Sequence, residues 1–467
     1  MKQFFAELQS SYELFLNKTC QEIKNKKEQN QLLSFCFALP AEFALDDFSH
    51  LFKKSPEVFY FSAKNEEFLA VGHIYSLSAG GRLRWKGLEK QYSNFPKPVL
   101  NSDEPRFAHL PLFLVSVKFD AEKQSPEWSD FKNSEFYVPK FLINFEIDTP
   151  LFRFNILVDN TFSVAKAVSD FSVILKTLFL ENIDPQIEKV FENNSSMSLM
   201  GDKILWIRKV ENALKEIRSG SLSKVVLARR IVLQTKIPKE IEFLPGRLKK
   251  VNPNSNVFFL KKSDSIFLGA SPEKLIEMKD DNIKTEAIAG SRKRGATPEE
   301  DILLENELRN SEKEINEHRS VLDFITERLN PFTSNVQYSA VPSVKKMASI
   351  QHLSTEISAE LKTGASIFSI VENIFPTPAV CGNPKEKAMQ LISELEDFDR
   401  GLYAGLIGWI SPTTTKFVVS IRSALINKNT IFAYAGCGIV EGSDPESEFT
   451  ETETKFKTIL STLNEKN

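Results

Sequence analysis

This 467-residue chain contains two groups of charged residues, and within each group the spacing places the side chains on one face of a helix. Glu314 and Glu317 are three residues apart, and Glu448, Glu451 and Lys455 follow one another at intervals of three and four. One or two carboxylates, completed by water and an anionic substrate, are the ligands that Mg²⁺ prefers. The spacing therefore permits a magnesium site, although glutamates on helices more often form only a solvated face.

Lys224 and Glu273 are the candidates for proton transfer. Lys224 opens the apolar run Val-Val-Leu-Ala, and Glu273 follows Pro272 at the end of another apolar run. A desolvated lysine can act as a general base, and a glutamate can act as a general acid. The same positions also suit a strand-end ammonium that reaches water and a carboxylate stabilised by a helix N-terminus.

Two glycine-containing segments and one arginine are suited to binding an anion. Gly290 and Ser291 follow one apolar strand, and Gly436-Cys437-Gly438 follows another. Exposed backbone amides at such turns form anion-binding nests. Arg422 ends a predicted strand and could bind a carboxylate through two N–H groups. Each signal is weak alone, because glycine is an ordinary turn residue.

The helix that follows Gly290 has a well-marked start. Thr297 and Glu300 have capping-box spacing, and Pro298 occupies the first helical position. We expect the chain to leave the strand at Gly290, pass through a basic turn at 292–295 and enter one long helix. That helix would carry Glu314 and Glu317.

The remaining patterns predict an α+β protein with large antiparallel sheets, because long helices lie between hairpins rather than in βαβ units. We expect an exposed excursion at 80–108 and a linker at 193–196. The other predicted elements are helices at 1–30, 164–182, 204–217 and from 367, hairpins at 58–71 and 256–268, and strands at 32–38, 112–119, 135–138, 141–146, 417–422 and 431–435.

Composition excludes several classes of protein. A net charge of −3 argues against nucleic acid as the main partner. We expect no membrane span, because no apolar run approaches about 20 residues. The N-terminal segment is interrupted by charges and does not resemble a signal peptide. The four cysteines lie far apart in the sequence, at Cys20, Cys36, Cys381 and Cys437. Their spacing predicts neither a disulfide framework nor a zinc site, so we expect a cytoplasmic protein.

Nine runs spread in order over residues 224–455 resemble the chorismate-utilising enzymes. This family includes isochorismate synthases, salicylate synthases and the large subunits of anthranilate and aminodeoxychorismate synthases. The runs are KVVLAR, SPEKL, TEAIAGSRKRG, SEKEINEH, PTPAVCG, FDRGLYAGLIGW, IRSA, YAGCGIV and SEFTETETK.

The resemblance implies a large α/β sandwich with the active site between its two sheets. Residues 1–200 would form the N-terminal part of the sandwich, and residues 201–467 the catalytic region. Mg²⁺ would be held by Glu317 and Glu451, with Glu314 and Glu448 as nearby or water-mediated ligands, and would bind the ring carboxylate of chorismate. The implied substrate-binding residues are Arg422, Lys455 and the amides around Gly436 for the enolpyruvyl carboxylate, with Gly290, Ser291, His352, Ala379 and Tyr403 lining the pocket.

Within the family, lysine at the position of Lys224 is typical of members that use water, whereas members that use ammonia typically have glutamine. The resemblance thus makes Lys224 the base that activates water and Glu273 the acid that protonates the departing ring hydroxyl. The implied product is isochorismate, for menaquinone or a catechol siderophore. Ala379 matches isochorismate synthases, where lyase-competent relatives often have threonine.

Two alternatives remain: a salicylate synthase, which would also eliminate pyruvate, and a chorismate-binding relative without catalysis. We expect no glutaminase partner, since no such domain is fused to this chain, and a monomer or weak homodimer. Phe375 departs from the family pattern, because many isochorismate synthases have histidine there, and we expect the change to alter pocket hydration.

Overall fold

The computed structural model describes residues 2–26, 31–145, 149–159, 161–179, 199–234, 241–347 and 350–464. The predicted linker at 193–196 lies outside these ranges. The described part contains twelve α-helices: α1 Lys2–Lys26, α2 His50–Lys54, α3 Arg84–Ser93, α4 Pro105–His109, α5 Val164–Phe179, α6 Leu199–Arg218, α7 Leu244–Val251, α8 Pro298–Asn310, α9 Glu312–Leu329, α10 Ile367–Ile374, α11 Lys385–Leu395 and α12 Pro445–Asn464.

The same ranges contain twenty strands, which confirms the predicted α+β class: β1 Gln31–Ala38, β2 Glu57–Ala63, β3 Glu66–Ser78, β4 Val99–Leu100, β5 Phe113–Val117, β6 Ser134–Asn144, β7 Leu151–Val158, β8 Lys224–Gln234, β9 Asn256–Lys262, β10 Ser265–Ser271, β11 Lys274–Lys279, β12 Asn282–Lys293, β13 Thr333–Tyr338, β14 Ser343–Lys346, β15 Ile350–Leu361, β16 Gly382–Asn383, β17 Leu406–Ile410, β18 Thr414–Val419, β19 Ser423–Asn427 and β20 Thr430–Val440.

The strands form two layers that are joined through β6. The first layer runs β4-β1-β7-β6-β3-β2-β9-β10-β19-β20-β8-β16. The second runs β5-β17-β18-β11-β12-β15, with β13 and β14 both on β15. β6 pairs with β5 near its start and with β7 near its end. Of these pairings, only that of β1 with β4 is parallel.

Both faces of the first layer are buried, and they contribute to two different cores. In β2, Val58 and Tyr60 pack in a core shared with helices α1, α5, α7 and α12. Phe59 and Phe61 point the other way, into a core shared with strands of the second layer. This alternation follows the two-residue period of a strand and produces the sandwich.

The prediction of one long helix after Thr297 is wrong. Thr297 does cap α8, since its side chain accepts a hydrogen bond from the Glu300 amide. The helix ends at Asn310, however, and a second helix begins at Glu312. Ser311 has extended backbone angles, and its hydroxyl accepts from the Glu314 amide, so it acts as a new N-cap. Ser311 and Glu314 have the same capping-box spacing as Thr297 and Glu300, a signal that would have predicted the break.

Both predicted glycine turns lie inside strands. β12 continues through Gly290 to Lys293, with a register irregularity beside Gly290, whose φ is +77°. β20 continues through Gly436 and Gly438 to Val440. In both strands the glycines leave space for side chains of the cavity described below, so the missing side chain is required by packing rather than by a change of chain direction.

Two further predictions in the N-terminal half are wrong. Residues 80–108 are not simply an exposed excursion, because α3 and α4 bury Trp85, Leu88 and Phe107. The predicted strands at 135–138 and 141–146 are one strand, β6, which crosses Pro139. Pro139 is tolerated because β5 pairs only with residues before it and β7 only with residues after it.

Strands from both sides of residue 200 pair directly. β2 pairs with β9, and β5 pairs with β17. Both predicted parts thus contribute strands to the same layers, and the division of the chain into residues 1–200 and 201–467 stays a prediction.

Candidate active site

A cavity of about 260 Å³ brings together every site residue predicted from the sequence. Its walls come from strands β8, β12, β15 and β20, from helices α9 and α12, and from the connections that follow β10, α10, α11 and β18. The predicted residues that line it are Lys224, Glu273, Gly290, Ser291, Glu314, Glu317, His352, Ala379, Tyr403, Arg422, Gly436, Glu448, Glu451 and Lys455.

Lys224 is buried at the start of β8 and is paired with a carboxylate. Its Nζ donates a hydrogen bond of 2.6 Å to Oε1 of Glu317 on α9. Burial alone would raise the pKa of Glu317, but the Lys224 ammonium outweighs this and the pKa lies below its usual value. Gly438 makes the contact possible, because a Cβ there would lie 2.8 Å from Cε of Lys224. Lys224 is therefore not a strand-end charge that reaches bulk water.

Lys455 and Glu451 form a second cation–carboxylate pair, on α12. Their Nζ and Oε1 atoms are 2.7 Å apart. The Lys455 Nζ also donates to the carbonyl oxygen of Gly436 over 2.8 Å. Burial opposes the charge of Lys455, yet Glu451 raises its pKa above the usual value. This lysine therefore presents a cation to the cavity and links α12 to β20.

Glu314 is held at the start of α9 by β12. Its carboxylate accepts from the Ser291 amide over 2.9 Å and from Nη1 of Arg292 over 3.0 Å. A Cβ on Gly290 would lie 3.1–3.3 Å from atoms of Glu314, so only glycine allows this close approach without strain. The Ser291 amide, which we predicted as an anion donor, is thus occupied by Glu314.

Four carboxylates line the cavity from two helices, and their chemistry suits a hard divalent cation. Burial, and then the nearby charge of Glu451, raise the pKa of Glu448, as expected where negative charge accumulates. Among the described residues, no three acidic, histidine or cysteine side chains converge on one point as a preformed metal site. Mg²⁺ needs only one or two protein carboxylates with water and substrate oxygens, so the arrangement fits this ion.

Glu273 lies in different surroundings, in the short connection between β10 and β11. Burial raises its pKa to about 7, and the Thr377 hydroxyl that donates to Oε1 over 3.4 Å only partly opposes this effect. A carboxyl with this pKa is substantially protonated at neutral pH and can donate a proton. No helix begins at Glu273, so the alternative of a helix N-terminal carboxylate is wrong.

Arg422, His352 and Ser291 form a hydrogen-bonded chain along one wall. Nη2 of Arg422 donates to Nε2 of His352 over 3.0 Å, and Nδ1 of His352 lies 2.9 Å from the Ser291 hydroxyl. Because arginine can only donate, the histidine proton is assigned to Nδ1. Burial, followed by the charge of Arg422, holds the pKa of His352 far below its usual value. The ring is therefore neutral and orients the guanidinium.

Arg422 does not end a strand as predicted. It lies between β18 and β19 with a φ of +52°, in the left-handed region that non-glycine residues seldom adopt. Burial lowers its pKa to about 10, so the side chain keeps its charge at neutral pH. Such a backbone conformation is commonly retained where a side chain must be aimed at a ligand.

Tyr403 lines the cavity where it packs against β20. Its ring stacks on Tyr434, with centroids 5.1 Å apart. A Cβ on Gly436 would lie 2.9 Å from the Tyr403 hydroxyl, so this glycine sets how closely the ring packs. Burial raises the pKa of Tyr403 to about 12, which keeps the hydroxyl neutral and able to donate.

Sequence reasoning missed several residues that contact the site. Thr377 and Arg292 lie inside runs that carried the family resemblance, but only their neighbours were assigned roles. Gly438 was expected to belong to an anion-binding segment, whereas the structure shows that it makes room for the Lys224 side chain. Phe375 shows the opposite error. It is 1% exposed, its ring packs edge-on to Trp85, and it is not among the residues that line the cavity. The expected effect of Phe375 on pocket hydration is therefore not supported.

Comparison with known proteins identifies the family. A family model described as chorismate binding enzyme matches residues 16–464. The chain belongs to this family. Isochorismate synthase MenF of Bacillus subtilis (strain 168) is 33% identical over 415 residues, which cover 87% of each chain. The resemblance seen in the sequence is thus confirmed.

Other relatives have a related activity or the same fold. Anthranilate synthase component 1 of Saccharolobus solfataricus is 37% identical over 261 residues, 55% of this chain and 61% of that protein. The structure of MenF, the menaquinone-specific isochorismate synthase from Escherichia coli, superposes with a TM-score of 0.78 and 25% identity, covering 97% of this chain and 100% of that one. Within the described residues, no helix is long and apolar enough to span a membrane.

Proposed function

We propose that this protein is an isochorismate synthase that adds water to chorismate and releases the ring hydroxyl. The observation that carries the proposal is that one cavity is lined by both a buried lysine and a carboxyl with a raised pKa. The lysine is Lys224, and the carboxyl is that of Glu273, whose pKa is about 7. The likeness to isochorismate synthases along most of the chain supports the same reaction.

Chorismate carries two carboxylates, and the cavity offers cationic groups for both. Arg422 is a buried cation and Lys455 a half-buried one on different walls of the cavity, and both are suited to the enolpyruvyl carboxylate. Glu317 and Glu451 would hold Mg²⁺, with Glu314 and Glu448 close by. When bound, this ion supplies positive charge for the ring carboxylate. His352 and Tyr403 would orient the ring from the sides.

The chemistry requires one proton to be removed and one to be supplied. Lys224, as a neutral amine, would take a proton from water as its oxygen attacks the ring carbon next to the carboxylate-bearing carbon. The ring double bonds shift, the bond to the departing hydroxyl breaks, and Glu273 gives that oxygen its proton. One water enters and one leaves, so the net reaction is an isomerisation.

The contact between Lys224 and Glu317 limits when the base can act. Lys224 donates to a carboxylate over 2.6 Å, an arrangement typical of the ammonium form. Base catalysis needs the neutral amine, so this contact must weaken before proton transfer. If Glu317 held another cation, the lysine would be released from this contact, so cation binding would be coupled to formation of the neutral base.

Water rather than ammonia is the proposed nucleophile. Lys224 occupies the position where the family's ammonia-using members typically have glutamine, and we propose that no glutaminase partner is needed. Ala379 favours release of isochorismate over pyruvate elimination, so salicylate synthase is the second candidate. A non-catalytic relative is disfavoured, since every acid, base and carboxylate position is occupied.

Incubation of the purified protein with chorismate and Mg²⁺, followed by chromatography, tests the proposal. We expect isochorismate without any need for ammonium or glutamine. Salicylate with pyruvate would favour the second candidate. Anthranilate or aminodeoxychorismate as the main product would refute the proposal.

A further inference from the structure

Arg229 is a buried arginine on β8, five residues after Lys224, and it does not line the cavity. It is 3% exposed. Its Nη1 donates to the Thr452 hydroxyl over 2.6 Å and lies 2.7 Å from Oε1 of Glu453. Both partners are on α12, the helix that carries Glu448 and Glu451. The guanidinium therefore joins the strand of the proposed base to the helix of the proposed metal ligands.

Aromatic rings surround the same guanidinium. Its central carbon lies 3.9 Å from the centroid of Phe449 and 5.4 Å from that of Phe456, both on α12. Trp206 of α6 lies 5.9 Å away. Cation–π contacts of a desolvated arginine add to its hydrogen bonds and fix its orientation. Arg229 thus contacts α12 through both hydrogen-bonding and aromatic side chains.

These contacts and the cavity residues occupy neighbouring faces of α12. The cavity face presents residues 448, 451 and 455, and the Arg229 face presents residues 449, 452, 453 and 456. At about 100° per residue, the centres of the two faces are roughly a third of a turn apart. Because both faces belong to one helix, any shift or rotation of α12 at the Arg229 face displaces the residues of the cavity face by a similar amount.

We propose that Arg229 is a positioning residue that sets the distance and rotation of α12 relative to β8. It would thereby fix where Glu448, Glu451 and Lys455 stand with respect to Lys224. The inference rests on the proposed function for the roles of those residues, and its geometry stands on the Arg229 contacts alone. On the cavity face, the Lys455 contact with Gly436 is the complementary link.

Arg230 provides a matched control. It is the next residue on the same strand, so its side chain points to the opposite side. It pairs with Glu127 over 2.8 Å and lies 5.0 Å from the Phe398 ring centroid. It thus has the same kinds of contact, an ion pair and aromatic packing, but none of these partners is on α12.

The experiment measures binding as well as turnover. Chorismate and Mg²⁺ affinities are determined by calorimetry for the wild type, Arg229→Met, Arg229→Lys, Glu453→Gln and Arg230→Met, below each protein's unfolding temperature. We expect Arg229→Met to weaken both affinities by about 10- to 100-fold, the usual effect of removing a group that orients metal ligands. KM should rise more than kcat falls. Arg229→Lys should lose less, and Arg230→Met should bind as the wild type does.

Several outcomes would overturn the inference. One is an Arg229→Met protein that unfolds at lower temperature but binds chorismate and Mg²⁺ normally, since this would show a purely structural role. Another is an equal loss of affinity in Arg230→Met. If Arg229→Met does not fold, Arg229→Lys and Glu453→Gln decide, because each removes only part of the contact. A wild type that binds chorismate but forms another product would refute the proposed function, while the binding comparison would still test Arg229.

Discussion

Glutamate carboxyl groups in two regions of the cavity have pKa values shifted in opposite directions. In the charged wall, defined by Lys224, Glu317, Glu451 and Lys455, each carboxylate lies 2.6–2.7 Å from an ammonium group. The Glu273 carboxyl, by contrast, accepts a hydrogen bond from the uncharged hydroxyl of Thr377 over 3.4 Å. The pKa of Glu317 is lowered and that of Glu273 is raised to about 7.

The comparison shows that a partner, rather than burial, separates the two roles. Burial acts on both glutamates and raises the pKa of each. A cation within hydrogen-bond distance reverses the effect at Glu317 and favours its ionised form, which the proposed role of metal ligand requires. Among the described residues, the hydrogen bond to the Glu273 carboxyl comes from the uncharged Thr377 hydroxyl, and burial keeps the pKa of Glu273 raised.

Glu317→Gln should break the charged wall and abolish turnover. It removes a charged oxygen ligand and the partner of Lys224, so the loss should exceed the roughly 10²–10⁴-fold expected for one proton-transfer group. Steady-state kinetics with Mg²⁺ titration measures it. Glu327→Gln, an exposed glutamate of the same helix, is the control and should be as active as the wild type. Full activity after EDTA treatment would contradict the metal assignment.

Lys224→Ala should lower kcat by roughly 10²–10⁴-fold. Chorismate binding, measured by calorimetry, should survive, since the substrate carboxylates are assigned to other residues. Lys224→Gln removes the base but leaves a neutral amide, so ammonia should begin to replace water as nucleophile at raised pH. Near-normal turnover of Lys224→Ala would mean that this lysine only balances the charge of Glu317.

The pH dependence of turnover should report Glu273. Only the protonated acid can donate, so kcat should fall as pH rises through about 7, the pKa of Glu273. A pH–rate profile measures this limb. Glu273→Gln should be slower at every pH and should lack the limb. A group with a pKa of about 7 titrates between roughly pH 6 and pH 9. A wild-type rate that stays constant over this range would therefore contradict the acid role.

Ionisation of Glu273 should lower the unfolding free energy of the protein at high pH. Its folded pKa of about 7 exceeds the ordinary value of 4.5, so its stabilising contribution is complete below pH 4.5 and is lost as pH rises through 7. The loss amounts to about 3 kcal/mol of unfolding free energy. Glu273→Gln should therefore become more stable than the wild type as pH increases from 5 to 8, on the order of this amount. Urea denaturation at both pH values measures it, and parallel pH dependence in the two proteins would be the contrary result.

Phe375→His should have the smallest effect on catalysis. Phe375 packs against Trp85 and does not line the cavity, so KM and kcat should change by less than about threefold. The unfolding free energy should fall by about 1–3 kcal/mol, since a polar ring replaces a buried apolar one. A large change in kcat without loss of stability would show that the loop acts on the reaction directly.

The sequence predicted which residues share the cavity better than it predicted the backbone that carries them. Helical spacing and the ordered runs were sufficient to group Glu314, Glu317, Glu448 and Glu451. The backbone around glycines was misread, because glycine has the same local signature in a turn and in a strand that must admit a neighbouring side chain. Gly438 illustrates this, since its role is set by Lys224, which lies more than 200 residues earlier.

Other features depended on contacts that no local pattern contains. The low pKa of Glu317 comes from a lysine on another element, and the raised pKa of Glu273 comes from burial in the folded chain. The break at Ser311 is different, because its capping signal was present in the sequence and was overridden by the expectation of one long helix.

The source of the new oxygen tests the central claim most directly. Chorismate and Mg²⁺ are incubated with the enzyme in heavy-oxygen-labelled water, and the product is analysed by mass spectrometry before equilibrium returns label to chorismate. In the proposed mechanism Lys224 activates water and Glu273 protonates the departing hydroxyl, so isochorismate should contain one heavy oxygen atom. Unlabelled isochorismate, or a product that contains nitrogen, would contradict the account.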